Sequence, residues 1–463
     1  MKTVTPLKDY SLLGPEAKRA EERGLSSADW YMTPIPRERM KELMQRRNWP
    51  AIRDTIIWFA AIIAVGWLGY YTWISWWSIP VFLIYGALFA SASDSRWHEC
   101  GHGTAFKSKW MNDVIYEMAS FMVLRESVPW RWSHQRHHTD TIIVGRDPEL
   151  LFQRPPDLKG IVMGVFNIKG GIHELKNIFY HAGGNVSEVE KTYIPESEWP
   201  KVVRNARIFV TIYIATIVAA LWMKSFLPLM YIILPGFYGA WHMLLTGMTQ
   251  HAALAEDVLD HRLNCRTVYM NPISSFLYWN MQYHVEHHMF PMVPYYNLPA
   301  LHKEVLYDTP RPYSGFWEAY KEIIPALWRQ SKDPTYFVER TLPPSAHPIL
   351  EKTAQEHKVH EGWVEAAKVT EIPEGDVIRF DYGPRTFALY HGNDGKFYAT
   401  DGLCTHGRVH LSGGLVMGNI IECPKHNGCF DFTNGETKRP PVKKNLTTFP
   451  VKVEDDKVFV QIA

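Results

Sequence analysis

The sequence predicts two parts, an α-helical membrane domain followed by a small all-β domain. Three observations predict this. Long uncharged apolar runs gather before residue 250, eight histidines fall in three tight clusters, and short β-type runs separated by glycine turns begin near residue 361. A chain of 463 residues is too long for one small domain. Hydrophobic residues make up 46%, an ordinary soluble value, so the distribution of the apolar residues carries the membrane reading and their total does not.

Residues 55–75 (TIIWFAAIIAVGWLGYYTWIS) carry no charge and are long enough for a bilayer core of about 30 Å. Trp73, Trp76, Trp77 and Pro80 follow, as expected of an aromatic belt at the far interface. A second span is expected at 79–97, a third near 206–224 and a fourth near 226–248, with Lys224 at the turn between the last two. Four crossings return both ends to one side. The basic segments 37–53 and 201–207 flank spans on that side and make it cytoplasmic. Residues 113–124 are too short to span and predict a re-entrant or interfacial helix. Residues 140–205 are expected to cap the site or lie on the membrane. The expected domains are an N-terminal cytoplasmic segment 1–53, a membrane domain 54–330, a proline-rich linker 331–360 and a β domain 361–463.

The formal net charge of +1 gives no field for nucleic acid. Of five cysteines, Cys100, Cys265 and Cys429 show no paired framework with the other two, which suits a reducing compartment. The first thirty residues lack an apolar core, so no secretory signal is expected there.

The clusters read His98-x3-His102, His134-x2-His137-His138 and His284-x2-His287-His288. Offsets of three and four put each cluster on one helix face. Eight neutral imidazoles are enough for two transition-metal ions. Zinc is not excluded by nitrogen ligands, but it prefers four of them and is redox-inert. Asp94, Glu99, Asp140 and Glu286 adjoin ligands and are candidates to orient imidazole N–H groups. His242 lies within the expected fourth span, either lining a cavity or packing between helices. The remaining histidines, His181 and His261 among them, are assigned no metal role.

In the β domain, Cys404-Thr-His406 and Cys423-Pro-Lys-His426 stand sixteen residues apart. Two thiolates and two imidazoles on paired loops are the ligand set of a Rieske [2Fe–2S] centre, whereas zinc ribbons favour C-x2-C pairs. Residues 361–463 resemble a Rieske ferredoxin of the type found with oxygenases, since Cys429 has no partner in the first loop to form the bridge of respiratory Rieske proteins.

The three histidine boxes, in this order beside four spans, resemble the membrane fatty-acid desaturase and hydroxylase superfamily over roughly residues 50–310. The resemblance implies a ninth ligand, His251 in Thr249-Gln250-His251, two non-haem irons and O2 as co-substrate. The layout of such a domain with a Rieske ferredoxin is similar to the rhizopine-catabolism oxygenases, which implies C–H hydroxylation, with O-demethylation of a small methyl ether as its expression. Fatty-acyl desaturation is the alternative. A membrane electron carrier would leave the nine histidines without a task. No nicotinamide fold is visible: Gly101-His102-Gly103 starts a G-x-G, but Phe106 replaces the third glycine. The expected partners are the lipid bilayer, a separate NAD(P)H-dependent reductase and a small-molecule or lipid substrate. The expected location is a bacterial-type inner membrane, with both centres on the cytoplasmic side.

Overall fold

In a computed structural model, residues 7–26, 28–348, 359–360 and 362–462 are described. Of the expected linker, residues 349–358 lie outside them. The chain forms two compact units, one of Met1–Leu25, Glu42–Met289 and Val293–Ala346, the other of Ser26–Lys41, Phe290–Met292 and His347–Ala463.

The first unit is helical. Among the described residues of the chain, three segments are long and apolar enough to cross a membrane: Arg37–Tyr71, Ser78–His102 and Glu196–Trp222. Within the first, the helix Asn48–Tyr71 buries Ala51, Trp58 and Ile62 on one side and exposes Ile56, Ile63, Trp67, Tyr70 and Tyr71 on the other. Apolar side chains facing outward beside a packed inner face are what a lipid-facing helix needs, since lipid is as apolar as leucine. Trp58, Phe82, Tyr85, Phe89 and Met122 form the core between these helices.

No single helix fills the expected fourth span. The chain there is broken into Leu227–Ile232, Pro235–Tyr238 and Trp241–His251. Pro228 and Pro235 lack the N–H that a continuous helix requires. Gly239 allows a close crossing: a Cβ built on it would meet the carbonyl oxygen of Gly86 at 2.2 Å. The same crossing interrupts the second span. Residues Ala87–Ser91 form a π-helical turn, and Ser91 donates to Gly239 O at 2.6 Å and accepts from Met243 N at 2.8 Å. Such a turn inserts one residue per turn and so re-aims the helix that follows it. The helix so re-aimed, Ala92–His102, carries the first histidine box. Lys109–Met122, at the expected interfacial stretch, buries Ile115, Tyr116 and Ala119 and exposes Trp110, Val114 and Met118.

Among the described residues, the second unit holds three four-stranded antiparallel sheets. Asp376–Tyr382 pairs in full register with Arg385–His391 across the Gly383-Pro384 turn, where Gly383 takes φ 56°. Leu415–Met417, Ile420–Glu422, Cys429–Asp431 and Thr437–Arg439 form the sheet that flanks the cysteine loops. Tyr390 and Phe432 stack at 4.5 Å in its core. Residues 26–41, expected within the N-terminal segment, belong to this unit. Arg37 Nε donates to buried Asp376 at 3.0 Å and Lys41 pairs with the same carboxylate at 2.7 Å. Trp30 lies 5.6 Å from Lys425 Nζ, between Cys423 and His426.

Candidate metal centres

Each of the nine clustered histidines is carried in the last turns of a helix or on a short helix. His98 and His102 share one face of Ala92–His102, which stops at Gly103 in the left-handed region with φ 69°. His134, His137 and His138 occupy the last turns of Ser127–Thr139. His251 is the last residue of Trp241–His251, and His284, His287 and His288 lie on the short helix His284–Met289.

The rings converge in two subsets. His98, His102, His134, His138 and His287 place ligand atoms within 4.8 Å of one another, and so do His137, His251 and His288. In the first subset Nε2 faces Nε2: His98 to His287 at 2.8 Å, His102 to His134 at 3.2 Å, His138 to His134 at 3.1 Å and His287 to His138 at 3.3 Å. His284 joins the second subset, its Nε2 lying 2.9 Å from that of His251 and 3.0 Å from that of His288.

Outward partners fix the tautomers. Nδ1 of His134 donates to Glu149 at 2.9 Å, that of His137 to Asp147 at 2.8 Å and that of His251 to the Asn264 carbonyl at 2.7 Å. His288 Nδ1 faces Thr141 Oγ1 at 3.3 Å. A neutral imidazole with Nδ1–H committed outward offers a lone pair at Nε2. Burial, reinforced by neighbouring imidazoles, holds His138, His284, His287 and His288 well below the ordinary imidazole range, so they are neutral at pH 7. Lone pairs gathered this closely in a buried space repel one another unless cations lie between them. The donor set therefore fits metal ions, and nine imidazoles exceed what one four-coordinate zinc uses.

The carboxylates expected to orient the ligands have other partners. Asp94 pairs with Arg125, Asp140 with Arg136 and Arg146, and Glu286 with Thr267 and His302. Glu99 accepts from Thr104 and the Tyr295 N–H, and its other oxygen is 3.6 Å from His287 Nδ1, beyond hydrogen-bond reach. Asp147 and Glu149 take the role instead. The signal was the acidic pair in Arg146-Asp147-Pro148-Glu149, just downstream of the second box. His261, given no metal role from sequence, falls with Cys265 and His288 in a third group within 4.8 Å. Cys265 Sγ lies 3.7 Å from His251 Nδ1, the outward side of that ring, which places the thiol behind the ligand-bearing face. His242 is buried and its Nε2 has no hydrogen-bond partner.

In the β unit, Cys404 and Cys423 are each 1% exposed and the rings of His406 and His426 lie 5.0 Å apart. The loops are tied by Cys404 N to Val409 O and Cys423 N to Gly428 O, at 2.9 and 2.8 Å. A hydrogen bond between the two sulfurs holds the Cys404 thiol down, while burial pushes Cys423 up. Cys429 is a buried residue of the neighbouring strand.

This arrangement defines a histidine-rich metalloprotein joined to an iron–sulfur domain. The fatty acid desaturase family profile matches residues 72–320 and the Rieske [2Fe-2S] domain profile matches 362–450. The chain belongs to the fatty acid desaturase family and carries a Rieske [2Fe–2S] domain. Over 103 residues it is 43% identical to the ferredoxin component of the naphthalene 1,2-dioxygenase system of Pseudomonas aeruginosa, covering 22% of this chain and 98% of that protein. It is 41% identical to the ferredoxin component of the naphthalene 1,2-dioxygenase/salicylate 5-hydroxylase systems of a Ralstonia species, over 22% of this chain and 97% of that protein. Among solved structures, the Sphingomonas yanoikuyae B1 ferredoxin is 34% identical over 21% of this chain and 97% of its own, with a TM-score of 0.21. The protein is an oxygenase- or desaturase-type oxidoreductase of the membrane, its cofactors a non-haem di-iron centre and a [2Fe–2S] cluster.

Proposed function

We propose that the protein is a di-iron monooxygenase that hydroxylates a C–H bond, with electrons drawn from its own Rieske domain. The carrying observation is the convergence of inward-facing imidazole nitrogens from four separate stretches of chain. His98, His102, His134, His138 and His287 hold one iron and His137, His251, His284 and His288 the other. Cys404, His406, Cys423 and His426 hold the cluster. Iron at the histidines supplies O2 reduction and the cluster supplies electrons one at a time. The chain's own residues fix the ligand tautomers through Asp147, Glu149 and the Asn264 carbonyl and keep the site buried.

The overall change for a methyl ether is R–O–CH3 + O2 + 2 e⁻ + 2 H⁺ giving R–OH, formaldehyde and water, because the hydroxylated methyl group collapses from a hemiacetal. The substrate class we favour is a small O-methylated compound of the rhizopine kind. The fatty acid desaturase profile over residues 72–320 favours a second reading, acyl-lipid desaturation, which begins with the same hydrogen abstraction. The ferredoxin relatives belong to multi-component dioxygenase systems, which supports a separate NAD(P)H-dependent reductase as the electron source. The connection between the domains raises the effective concentration of donor near acceptor.

In this reading the domains are 54–330 for the membrane part and 361–463 for the Rieske part, with 1–53 N-terminal and 331–360 between. The broken series Leu227–His251 makes the fourth crossing of the bilayer, and Arg46, Arg47, Arg53, Lys201, Arg204 and Arg207 set its cytoplasmic side at a bacterial-type inner membrane. The test supplies purified protein in bilayers with reductase, NAD(P)H and O2, then adds methyl ethers or acyl lipids. Formaldehyde supports the first reading and new double bonds the second. O2 uptake uncoupled from either product in every case would count against both.

A further inference from the structure

Beside the histidine cluster, in the same unit, an aromatic series stands outside the proposed reaction. Trp279 and Tyr295 stack with centroids 4.2 Å apart and planes 2° from parallel. They are 1% and 2% exposed. The Tyr295 ring meets that of Tyr296 at 5.2 Å, and the half-buried Tyr296 hydroxyl accepts from Arg47 N at 2.6 Å. The Tyr295 hydroxyl donates to buried Asp54 at 2.7 Å. Its backbone N–H donates to Glu99 at 3.1 Å, and Glu99 in turn lies 3.6 Å from the outer nitrogen of His287. A series thus runs from His287, across a 3.6 Å gap to Glu99, and on through Tyr295 to a partly exposed tyrosine.

We propose that Tyr295 is a one-electron donor to the oxidised metal centre, a protective discharge used when O2 has reacted without substrate. The proposal rests on the di-iron oxygenase reading. A phenol gives up an electron readily only if its proton leaves with it. Asp54 receives that proton. The electron passes to the metal centre, which is reduced by one. Tyr295 becomes a neutral radical and the Asp54 carboxylate a neutral carboxyl. Tyr296 then returns an electron to Tyr295 as Asp54 hands its proton back to the Tyr295 oxygen; the half-buried Tyr296 hydroxyl releases its own proton to solvent, and a thiol- or ascorbate-class reductant in solution restores both electron and proton to Tyr296.

The nearby indoles are less suited to this task. The Arg96 guanidinium lies over Trp58 and Trp279 at 4.9 and 4.8 Å, and Arg125 lies over Trp97 at 5.1 Å. A fixed positive charge against the ring disfavours an indole radical cation. Trp279 Nε1 also has no hydrogen-bond acceptor to take its proton. Among these rings only Tyr295 combines contact with the ligand surroundings and a carboxylate against its O–H.

The test uses full-length, iron-loaded protein, chemically reduced and mixed with O2 without substrate. Samples are frozen at intervals and read by electron paramagnetic resonance where the reduced cluster is broadened out. The expected result is an organic radical signal that narrows when ring-deuterated tyrosine is incorporated. Tyr295→Phe keeps the ring, should keep its iron, and should lose the signal. It should also inactivate several-fold faster over repeated turnovers, with more oxidised ligand histidines by mass spectrometry. Asp54→Asn should lower the radical yield several-fold. A protein that holds iron at the histidines and consumes O2, yet shows no radical or the same radical in Tyr295→Phe, would overturn this proposal alone. Failure to hold iron there or to consume O2 would overturn the oxygenase reading and this proposal with it.

Discussion

The Nε2 atoms of His98 and His287 lie 2.8 Å apart although 189 residues separate them in sequence. Neither ring can be placed by local structure alone. His98 is aimed by the π-helical turn at Ala87–Ser91 and His287 by a short buried helix, so the metal site is a product of the tertiary fold.

Asp147 and Glu149 orient His137 and His134 through Nδ1. Asp147→Asn and Glu149→Gln should each weaken iron binding at the histidine site by about 10–100-fold, the usual cost of losing such an outer partner. Titration with ferrous iron, followed by iron analysis after gel filtration, measures this. The Rieske absorption should not change.

The two centres are held by separate units, so they should fail separately. His137→Ala should abolish turnover and keep the Rieske spectrum. Cys404→Ser should remove that spectrum and leave iron at the histidines. Loss of both signals in either variant would contradict separate centres.

Gly86 and Gly239 cross so closely that Gly239→Ala forces a Cβ into the Gly86 backbone, whereas nothing lies within 4 Å of a Cβ at Gly247. Gly239→Ala should lower the thermal midpoint in detergent and reduce iron loading, because the same crossing positions the first histidine box. Gly247→Ala should be neutral or stabilising by up to about 1 kcal/mol from helix propensity.

His181 is buried between two carboxylates, at 2.5 Å from Glu126 and 3.0 Å from Glu190. Burial alone would depress its pKa, but the hydrogen bonds it donates to the two carboxylates outweigh that and raise the pKa from 6.5 to about 9. A raised folded-state value stabilises fully below the unfolded pKa, and the benefit is lost as pH rises through the folded one. His181→Gln should therefore cost most below about pH 6.5, up to about 3 kcal/mol. The gap to the parent protein should close as pH rises past about 9, which paired melts across that range would reveal.

The histidine clusters that the structure brings together were legible because they stand at helical offsets, as in His98-x3-His102 and His134-x2-His137-His138. The β domain was legible from its short runs and from the Cys404 and Cys423 loops. The outer partners were less legible. Adjacency in sequence pointed to Asp94, Glu99, Asp140 and Glu286, but arginines hold Asp94 and Asp140, and Thr104, the Tyr295 N–H, Thr267 and His302 hold the two glutamates. Asp147 reaches His137 because the chain turns back after Thr139, a path that helical spacing does not encode. The break in the expected fourth span was carried by Pro228, Pro235 and Gly239, whose local signals were outweighed by an unbroken apolar composition. The association of residues 26–41 with the β unit depends on Arg37 and Lys41 meeting Asp376, a contact between distant charges with no periodic signature.

Iron and acid-labile sulfide per chain, with Mössbauer spectroscopy to separate the sites, decide whether one chain holds both a di-iron centre and a [2Fe–2S] cluster. About four irons and two sulfides are expected, with half the iron in nitrogen-rich, sulfur-free coordination. Two irons matched to two sulfides, with zinc or nothing at the histidines, would contradict it.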